Sequence, residues 1–182
     1  MKILATLCLC MVCFVTIEAQ NTITPPEGYS NDIGNMVTML DNLKERVEYL
    51  VKDLNQEETD FLLDDKANRI GAIIYHLAAT EAYYQVFTFE KRGFNEEEKK
   101  KWEIALSLGE TARKEFKGKP IQYYLDIYNE VRLKTKALLK EKNDKWFKKT
   151  RRGMSNHWAW FHVMEHQANH MGQLALITKR FN

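Results

Sequence analysis

The sequence predicts an all-α fold: a four-helix bundle with one additional shorter helix in the connection between the second and third long helices. Helix breakers are scarce, because only 3 prolines and 8 glycines occur in 182 residues. Apolar residues recur at alternating intervals of three and four along most of the chain, which is the period of amphipathic helices. The content of 45% hydrophobic and 29% charged residues is that of one globular domain, and it excludes a disordered chain or a multi-span membrane protein.

The chain begins with the pattern of a secretory signal peptide. Lys2 precedes an apolar run over residues 3–17, which is short for a bilayer span, and Ala19 is the small residue expected at a cleavage site. We therefore expect a signal peptide at residues 1–19 and an exported protein, periplasmic or secreted, with no stable membrane anchor after cleavage. An uncleaved N-terminal anchor is the alternative. All 3 cysteines lie in the apolar run, so the mature chain would contain no disulfide and no thiolate ligand.

The domain is expected at residues 31–182, after an extended arm at residues 20–30 that contains two prolines and a glycine. The first long helix buries one stripe, formed by Ile33, Met36, Leu40, Leu43, Val47, Leu50 and Leu54. The second long helix is predicted over residues 66–87. Its inward-facing residues are Ile70, Ile73, Ile74, Leu77 and Tyr84.

An asparagine followed by three glutamates, at residues 95–98, is a capping box that opens the shorter helix, which is predicted to reach residue 116. Pro120 then suits the start of the third long helix, predicted to reach residue 142. We expect residues 143–153 to be a loop rich in lysine and arginine, without a hairpin. The last long helix is predicted over residues 155–180. It is apolar around much of its circumference, so we expect it to be largely buried, with Gly172 allowing close helix packing.

The candidate chemistry lies in the histidines of the last helix. His162, His166 and His170 are spaced by four residues, so their side chains share one face. A buried imidazole needs a partner, and two histidines at this spacing can bind the same metal ion. His76 on the second long helix completes the site, because facing helices of a bundle supply ligands to a shared interior ion. The spacing favours a divalent-metal site at His76, His166 and His170, with a structural polar core as the alternative.

Further residues are candidates for the surroundings of this site. Thr80 and Tyr83 share the face of the second-helix histidine and would line the site or hydrogen-bond a bound water. His162 would hold a ligand or substrate, or else bond to a backbone carbonyl. Gln173, one turn beyond the last histidine, would orient a ligand or cap a buried polar atom. A fourth ligand from His162 or Asn169 would close the coordination and make the site structural.

Two segments that contain these histidines resemble the DinB-like (DinB/YfiT) superfamily. Residues 162–173, HVMEHQANHMGQ, are similar to the superfamily's last-helix signature. Residues 73–77, IIYHL, with Glu81 after them, are similar to its second-helix motif. The likeness extends over residues 32–180 and implies a four-helix bundle that binds a divalent metal, zinc or nickel, through three histidines.

By motif position, the resemblance implies that His76, His166 and His170 are the ligands. The superfamily includes metal-dependent transferases and isomerases that use a low-molecular-weight thiol, whose thiolate the metal stabilises; a metal-activated water would instead give a hydrolase. Such thiols are kept reduced in the cytoplasm, so both reactions stay open for an exported enzyme. We expect an exported metal-dependent enzyme, thiol transferase-like or hydrolase. The alternative is a non-catalytic bundle that binds a metal or a small ligand.

The expected partner is a small-molecule substrate or ligand. A net charge of +2 gives no sign of a nucleic-acid partner, and we interpret the basic residues 145–152 as a solvated connector. A homodimer is compatible with a small bundle, although no surface stripe in the sequence identifies an interface.

Overall fold

The computed structural model describes residues 22–181. The predicted signal peptide at residues 1–19 lies outside these residues. Residues 22–30 lie along the first long helix, where the Thr38 hydroxyl donates a 2.6 Å hydrogen bond to the carbonyl of Thr24. A Cβ built at Gly34 would come within 2.4 Å of the Pro25 side chain, so only glycine allows this segment to lie so close to the helix.

Eight helices and one small hairpin make up the described part of the chain, and the all-α prediction is confirmed. In chain order they are α1 (Asn31–Val51), α2 (Gln56–Asp60), α3 (Ile70–Gln85), α4 (Glu96–Ser107), α5 (Gly109–Glu115), α6 (Ile121–Lys140), α7 (Asp144–Phe147), the strands β1 (Thr150–Arg151) and β2 (Met154–Ser155), and α8 (Asn156–Thr178). A π-helical turn, Val86–Glu90, continues α3. The bundle consists of α1, α3, α6 and α8.

The helix α3 is the centre of the bundle. It packs along α6 and α8, while α1 packs along α8. All of its residues except Tyr83 are buried, as expected of a helix that is apolar on every side. A Cβ at Gly71 would lie 2.4 Å from the ring of Tyr124, so this glycine sets the close approach of α3 to α6.

Two clusters of buried side chains form the core. The larger lies between α3, α6 and the C-terminal half of α8, and it includes Ile73, Ile74, Leu77, Tyr124, Tyr128 and Leu174. The other joins the first half of α1 to the start of α8, and it includes Ile33, Met36, Leu40, Leu139, Phe147 and Trp160. Among the helices that the structure describes, none combines the length and the apolar character needed to span a bilayer.

The predicted shorter helix is two helices. The chain breaks at Leu108, whose φ of 52° lies in the left-handed region, and Gly109 follows with a φ of 77°. A positive φ cannot be continued as a right-handed helix, so α4 ends there and α5 starts in a new direction. The capping box that opens α4 is present, with the side chain of Asn95 and that of Glu98 each bonded to the other's backbone amide.

Three expectations for the end of the chain were wrong. Residues 143–153 are not a plain loop, because they contain α7, the strand β1 and the hairpin turn, whose residues Arg152 and Gly153 both have positive φ. The helix α8 is buried on one side only: Trp158 and Phe161 are 47% and 44% exposed. Gly172 is not a packing glycine either, since a Cβ there would meet no atom within 4 Å.

Candidate metal centre

Three histidines from two helices meet inside the bundle. His76 comes from α3, and His166 and His170 come from successive turns of α8. The Nε2 atom of His166 lies 3.0 Å from Nε2 of His76 and 2.8 Å from Nε2 of His170. One nitrogen from each ring falls within 4.8 Å of the others, which is the spacing needed for three ligands of one ion. The structure thus brings together the three histidines that the sequence singled out.

The outer nitrogens of two rings are fixed by hydrogen bonds. His76 Nδ1 donates to the backbone carbonyl of Ala105 over 2.8 Å, and His170 Nδ1 donates to Oε1 of Gln173 over 2.9 Å. A neutral imidazole carries a single N–H, so both rings must direct an Nε2 lone pair toward the centre of the cluster. This is the tautomer that a metal-binding histidine requires.

The N–H groups of the three rings cannot supply a hydrogen bond for both Nε2–Nε2 contacts of the cluster. His166 Nε2 can donate to one neighbouring lone pair at most, which leaves the other contact as two lone pairs that face each other. Its Nδ1 atom is buried and has no hydrogen-bond partner among the described residues. A cation shared by the three lone pairs removes this conflict, so the donor set fits a divalent metal ion.

Burial keeps these histidines neutral. His76 and His170 are only 8% and 9% exposed. Desolvation lowers the pKa of His76 to about 4, against the opposing hydrogen bond to Ala105. Desolvation, and then the neighbouring imidazoles, lower the pKa of His166 to about 3, and burial also lowers the pKa of His170. Neutral rings at physiological pH are the form that binds metals, because protonation would occupy the lone pair.

Comparison with known proteins agrees with this geometry. The family model for mycothiol-S-transferase matches residues 35–181. The chain belongs to the mycothiol-S-transferase family. That family is part of the DinB/YfiT-like superfamily of metal-binding proteins, so the resemblance of the two histidine segments is confirmed. A search of curated proteins gives no significant match.

In this member of the mycothiol-S-transferase family, Thr80 and Tyr83 have different surroundings. Thr80 is 7% exposed and lies one helical turn beyond His76, and its hydroxyl has no hydrogen-bond partner within residues 22–181. A buried hydroxyl without a partner is costly, which makes Thr80 available to a bound molecule. Tyr83 is half-buried, with its ring stacked 6.0 Å from that of Phe87 and edge-on to Phe94, so it packs among aromatic side chains beyond the end of α3.

His162 belongs to a column of aromatic rings beside the cluster. Its ring is parallel to that of His166, with centroids 5.7 Å apart, and parallel to that of Trp158 at 5.3 Å. Its Nδ1 is hydrogen-bonded to the Tyr84 hydroxyl over 2.8 Å. Burial raises the pKa of that phenol, so Tyr84 keeps its proton. His162 is therefore fixed by a side chain of α3 and not by a backbone carbonyl.

The second candidate for a fourth ligand, Asn169, faces away from the cluster. Its side chain donates a hydrogen bond to Glu165 on the exposed side of α8. In the described part of the chain, the group of titratable side chains close enough to share an ion consists of the three histidines alone. Three protein ligands with a free coordination position are typical of catalytic sites in metalloenzymes.

A buried ion pair that the sequence reasoning did not single out lies in the same bundle. The Arg132 guanidinium on α6 donates two 2.8 Å hydrogen bonds to Glu81 on α3 and one of 3.2 Å to Gln167 on α8. It also lies 3.4 Å from Asp41 on α1. Arg132 thus connects all four long helices. A signal existed, because Arg132 occupies an inward position of the α6 stripe, four residues after Tyr128.

Proposed function

We propose that this protein is a metal-dependent enzyme of the thiol-transferase type, in which His76, His166 and His170 hold a divalent zinc or nickel ion. The observation that carries the proposal is the convergence of three Nε2 atoms, two of them with lone pairs aimed inward by hydrogen bonds on the opposite nitrogen. Membership of the mycothiol-S-transferase family supports a thiol as the nucleophile and a small molecule as the second substrate.

The chain's own groups would prepare the site before a substrate enters. The Ala105 carbonyl and the Gln173 side chain keep two rings in the metal-binding tautomer and orientation. The Thr80 hydroxyl is a hydrogen-bonding group without a protein partner inside the bundle. A divalent ion in this position lowers the pKa of a thiol or a water molecule that it binds, which makes either of them a nucleophile at neutral pH.

We also infer from the N-terminal segment that the protein acts outside the cytoplasm. The apolar run at residues 3–17 and Ala19 support cleavage after Ala19 and export of the mature protein. For a protein outside the cytoplasm, hydrolysis by a metal-activated water is the alternative to thiol transfer. N-terminal sequencing of the protein from its native host tests the export: a first residue at Gln20 supports it, and a chain that keeps residues 1–19 contradicts it.

Metal content is the first experiment. The mature protein, prepared without a histidine tag and given equal access to zinc and nickel, should contain close to one ion per chain by elemental analysis. The variant His166→Ala, His170→Ala should contain almost none. His157→Ala is the matched control, because this histidine is on the same helix but is exposed and stacks on Phe147 instead of joining the cluster. A folded wild-type protein without metal under these conditions would refute the site.

Activity is then measured on the metal-loaded wild type and on the double variant. Conjugation of glutathione, mycothiol or bacillithiol to 1-chloro-2,4-dinitrobenzene tests thiol transfer, and a panel of ester and amide substrates tests hydrolysis. Transfer that requires the metal and disappears in the variant supports the proposal. Hydrolysis alone would replace transferase by hydrolase. Bound metal with neither activity would identify a non-catalytic metal-binding bundle instead.

A further inference from the structure

A cavity lies at the N-terminal end of α8, away from the histidine cluster. It has a volume of about 420 Å³ and is bordered by the π-helical turn, the end of α6, α7, the hairpin and the start of α8. Asn156, on its wall, precedes His166 by ten residues, which is about 15 Å along a helix axis. The proposed enzymatic function uses no residue of this cavity.

In the part of the chain that the structure describes, four cations and no carboxylate line the cavity. The cations are Lys91, Lys142, Lys149 and Arg151. Within residues 22–181, none of them forms a salt bridge. The neighbouring Lys148, in contrast, is paired with Asp32 at 2.8 Å. Four like charges around one concavity repel one another, and an anion bound among them removes this repulsion.

Phe87, Trp146 and Met154 form an apolar part of the lining, beside the polar Thr88, Thr150 and Asn156. The Trp146 ring is itself fixed, stacked on Phe89 with the centroids 4.9 Å apart and the planes 9° from parallel. A wall of this kind suits a flat apolar body, and a cavity of a few hundred Å³ is the size of small-ligand sites.

Hydrogen bonds and the hairpin turn fix the backbone of two of the cationic residues, Lys149 and Arg151. The hairpin turns through Arg152 and Gly153, both with positive φ, as a two-residue turn between antiparallel strands requires. The amide of Asn156 donates to the carbonyl of Lys149 over 3.1 Å, and its side chain donates to the carbonyl of Trp146 over 2.8 Å. The hairpin is therefore tied to α8, and Lys149 and Arg151 are presented to the cavity from a defined backbone.

We propose that this cavity binds a small organic phosphate that carries an aromatic ring, with the phosphate among the four cations and the ring against the apolar wall. Arginine and lysine side chains are the usual partners of phosphate oxygens. A nucleic acid is the less favoured partner, because the unpaired cations surround one cavity of a chain whose net charge is only +2.

Calorimetric titration of the full metal-loaded protein tests the proposal with three probes: adenosine 5′-monophosphate, adenosine and inorganic phosphate. We expect the monophosphate to bind at least about tenfold more tightly than either fragment. The variant Lys149→Ala, Arg151→Ala should weaken its binding by about tenfold or more, since each charge-assisted hydrogen bond contributes on that scale. Lys145→Ala should stay within about twofold, because Lys145 is in the same basic segment but does not line the cavity.

Circular dichroism and metal content, measured on both variants, establish that the bundle and the histidine site are intact. Equal binding of adenosine and its monophosphate would overturn the proposed phosphate recognition, and equal binding of inorganic phosphate would overturn the role of the ring. No binding of the monophosphate, or equal losses in the cavity variant and Lys145→Ala, would overturn the site. A single-stranded oligonucleotide that binds more tightly than the monophosphate, and is weakened by Lys145→Ala, would show a nucleic-acid surface instead.

Discussion

The three histidines differ in what lies behind each ring. His76 is held by a backbone carbonyl, His170 by Gln173, and His166 by no hydrogen bond at Nδ1. Gln173 is the only one of these supports that is a side chain, so it can be removed by substitution without touching a histidine. The orientation of His170 therefore depends on the side-chain amide of Gln173.

Replacement of that amide tests its role directly. In Gln173→Ala, His170 loses its acceptor and is free to rotate, and we expect the metal dissociation constant to rise by about 10-fold to 100-fold. Competition with a chromophoric chelator measures the change. Asn169→Ala is the control, because Asn169 is on α8, one turn before Gln173, but bonds to Glu165 and faces away from the cluster. Equal affinities for wild type and Gln173→Ala would contradict the assigned role.

The break between α4 and α5 supplies the support for His76. In one continuous helix, the amide of Gly109 would donate to the carbonyl of Ala105. Here that amide donates to Oδ1 of Asn68 over 3.3 Å, because the chain turns at Leu108. The Ala105 carbonyl is therefore one of the free carbonyls at a helix end, and it accepts the N–H of His76.

A substitution that opposes this break should weaken the metal site. In Gly109→Ala, the positive φ becomes unfavourable by about 1 kcal/mol, which favours straightening of the junction and a bond from residue 109 to Ala105. We expect metal affinity to fall by about tenfold. Gly118→Ala is matched, since Gly118 also has a positive φ and open space around it. Urea denaturation should show a similar loss of stability in both variants. An equal loss of metal affinity in both would contradict the role of the break in supporting the metal site.

On the scale of the whole molecule, one buried arginine connects the four long helices. Arg132 is 3% exposed and its partner Glu81 is 1% exposed. Burial opposes the charge of the guanidinium, but the carboxylate of Glu81 more than offsets this, so the pKa of Arg132 is raised. Such a pair contributes little net stability compared with well-packed apolar residues, while the loss of one partner leaves a buried charge.

The pair therefore predicts a strongly non-additive result. Arg132→Ala should lower the free energy of unfolding by about 3–5 kcal/mol, because Glu81 is left without its partner. The double variant Glu81→Leu, Arg132→Met should be more stable than that single variant by about 2 kcal/mol or more. Urea denaturation of the metal-loaded protein measures both values. A double variant no more stable than Arg132→Ala would contradict this account of the ion pair.

The metal-free protein should lose stability as the solution is acidified. The pKa of His76 is about 4 in the folded state and 6.5 unfolded, so the unfolded state takes up the proton first. The contribution of neutral His76 to the free energy of unfolding is complete above pH 6.5. It is lost as the pH falls toward 4, at up to about 1.4 kcal/mol per pH unit. The free energy of unfolding, measured with a chelator present between pH 8 and pH 5, should fall less steeply with decreasing pH in His76→Gln than in the wild type. Identical profiles would refute the assignment.

The sequence alone determined the architecture and the metal-ligand candidates. The alternating spacing of apolar residues depends only on helix geometry, so the stripes that begin at Ile33 and Ile121 placed the first and third long helices correctly, except that Leu54 lies beyond the end of α1 at Val51. The spacing of His166 and His170 placed both rings on one face for the same reason. Arg132 could have been found in the same way, as a charge at an inward position.

Only the tertiary structure decided what surrounds those side chains. Where α4 ends, the amide of Gly109 bonds to Asn68, in a distant part of the chain, and no local pattern reports such a contact. The hairpin turn is Arg152-Gly153, which lacks the usual asparagine or aspartate at its first position. The exposure of Trp158 depends on which helices cover α8. Local periodicity fixes which residues share a face, whereas long-range contacts fix what that face meets.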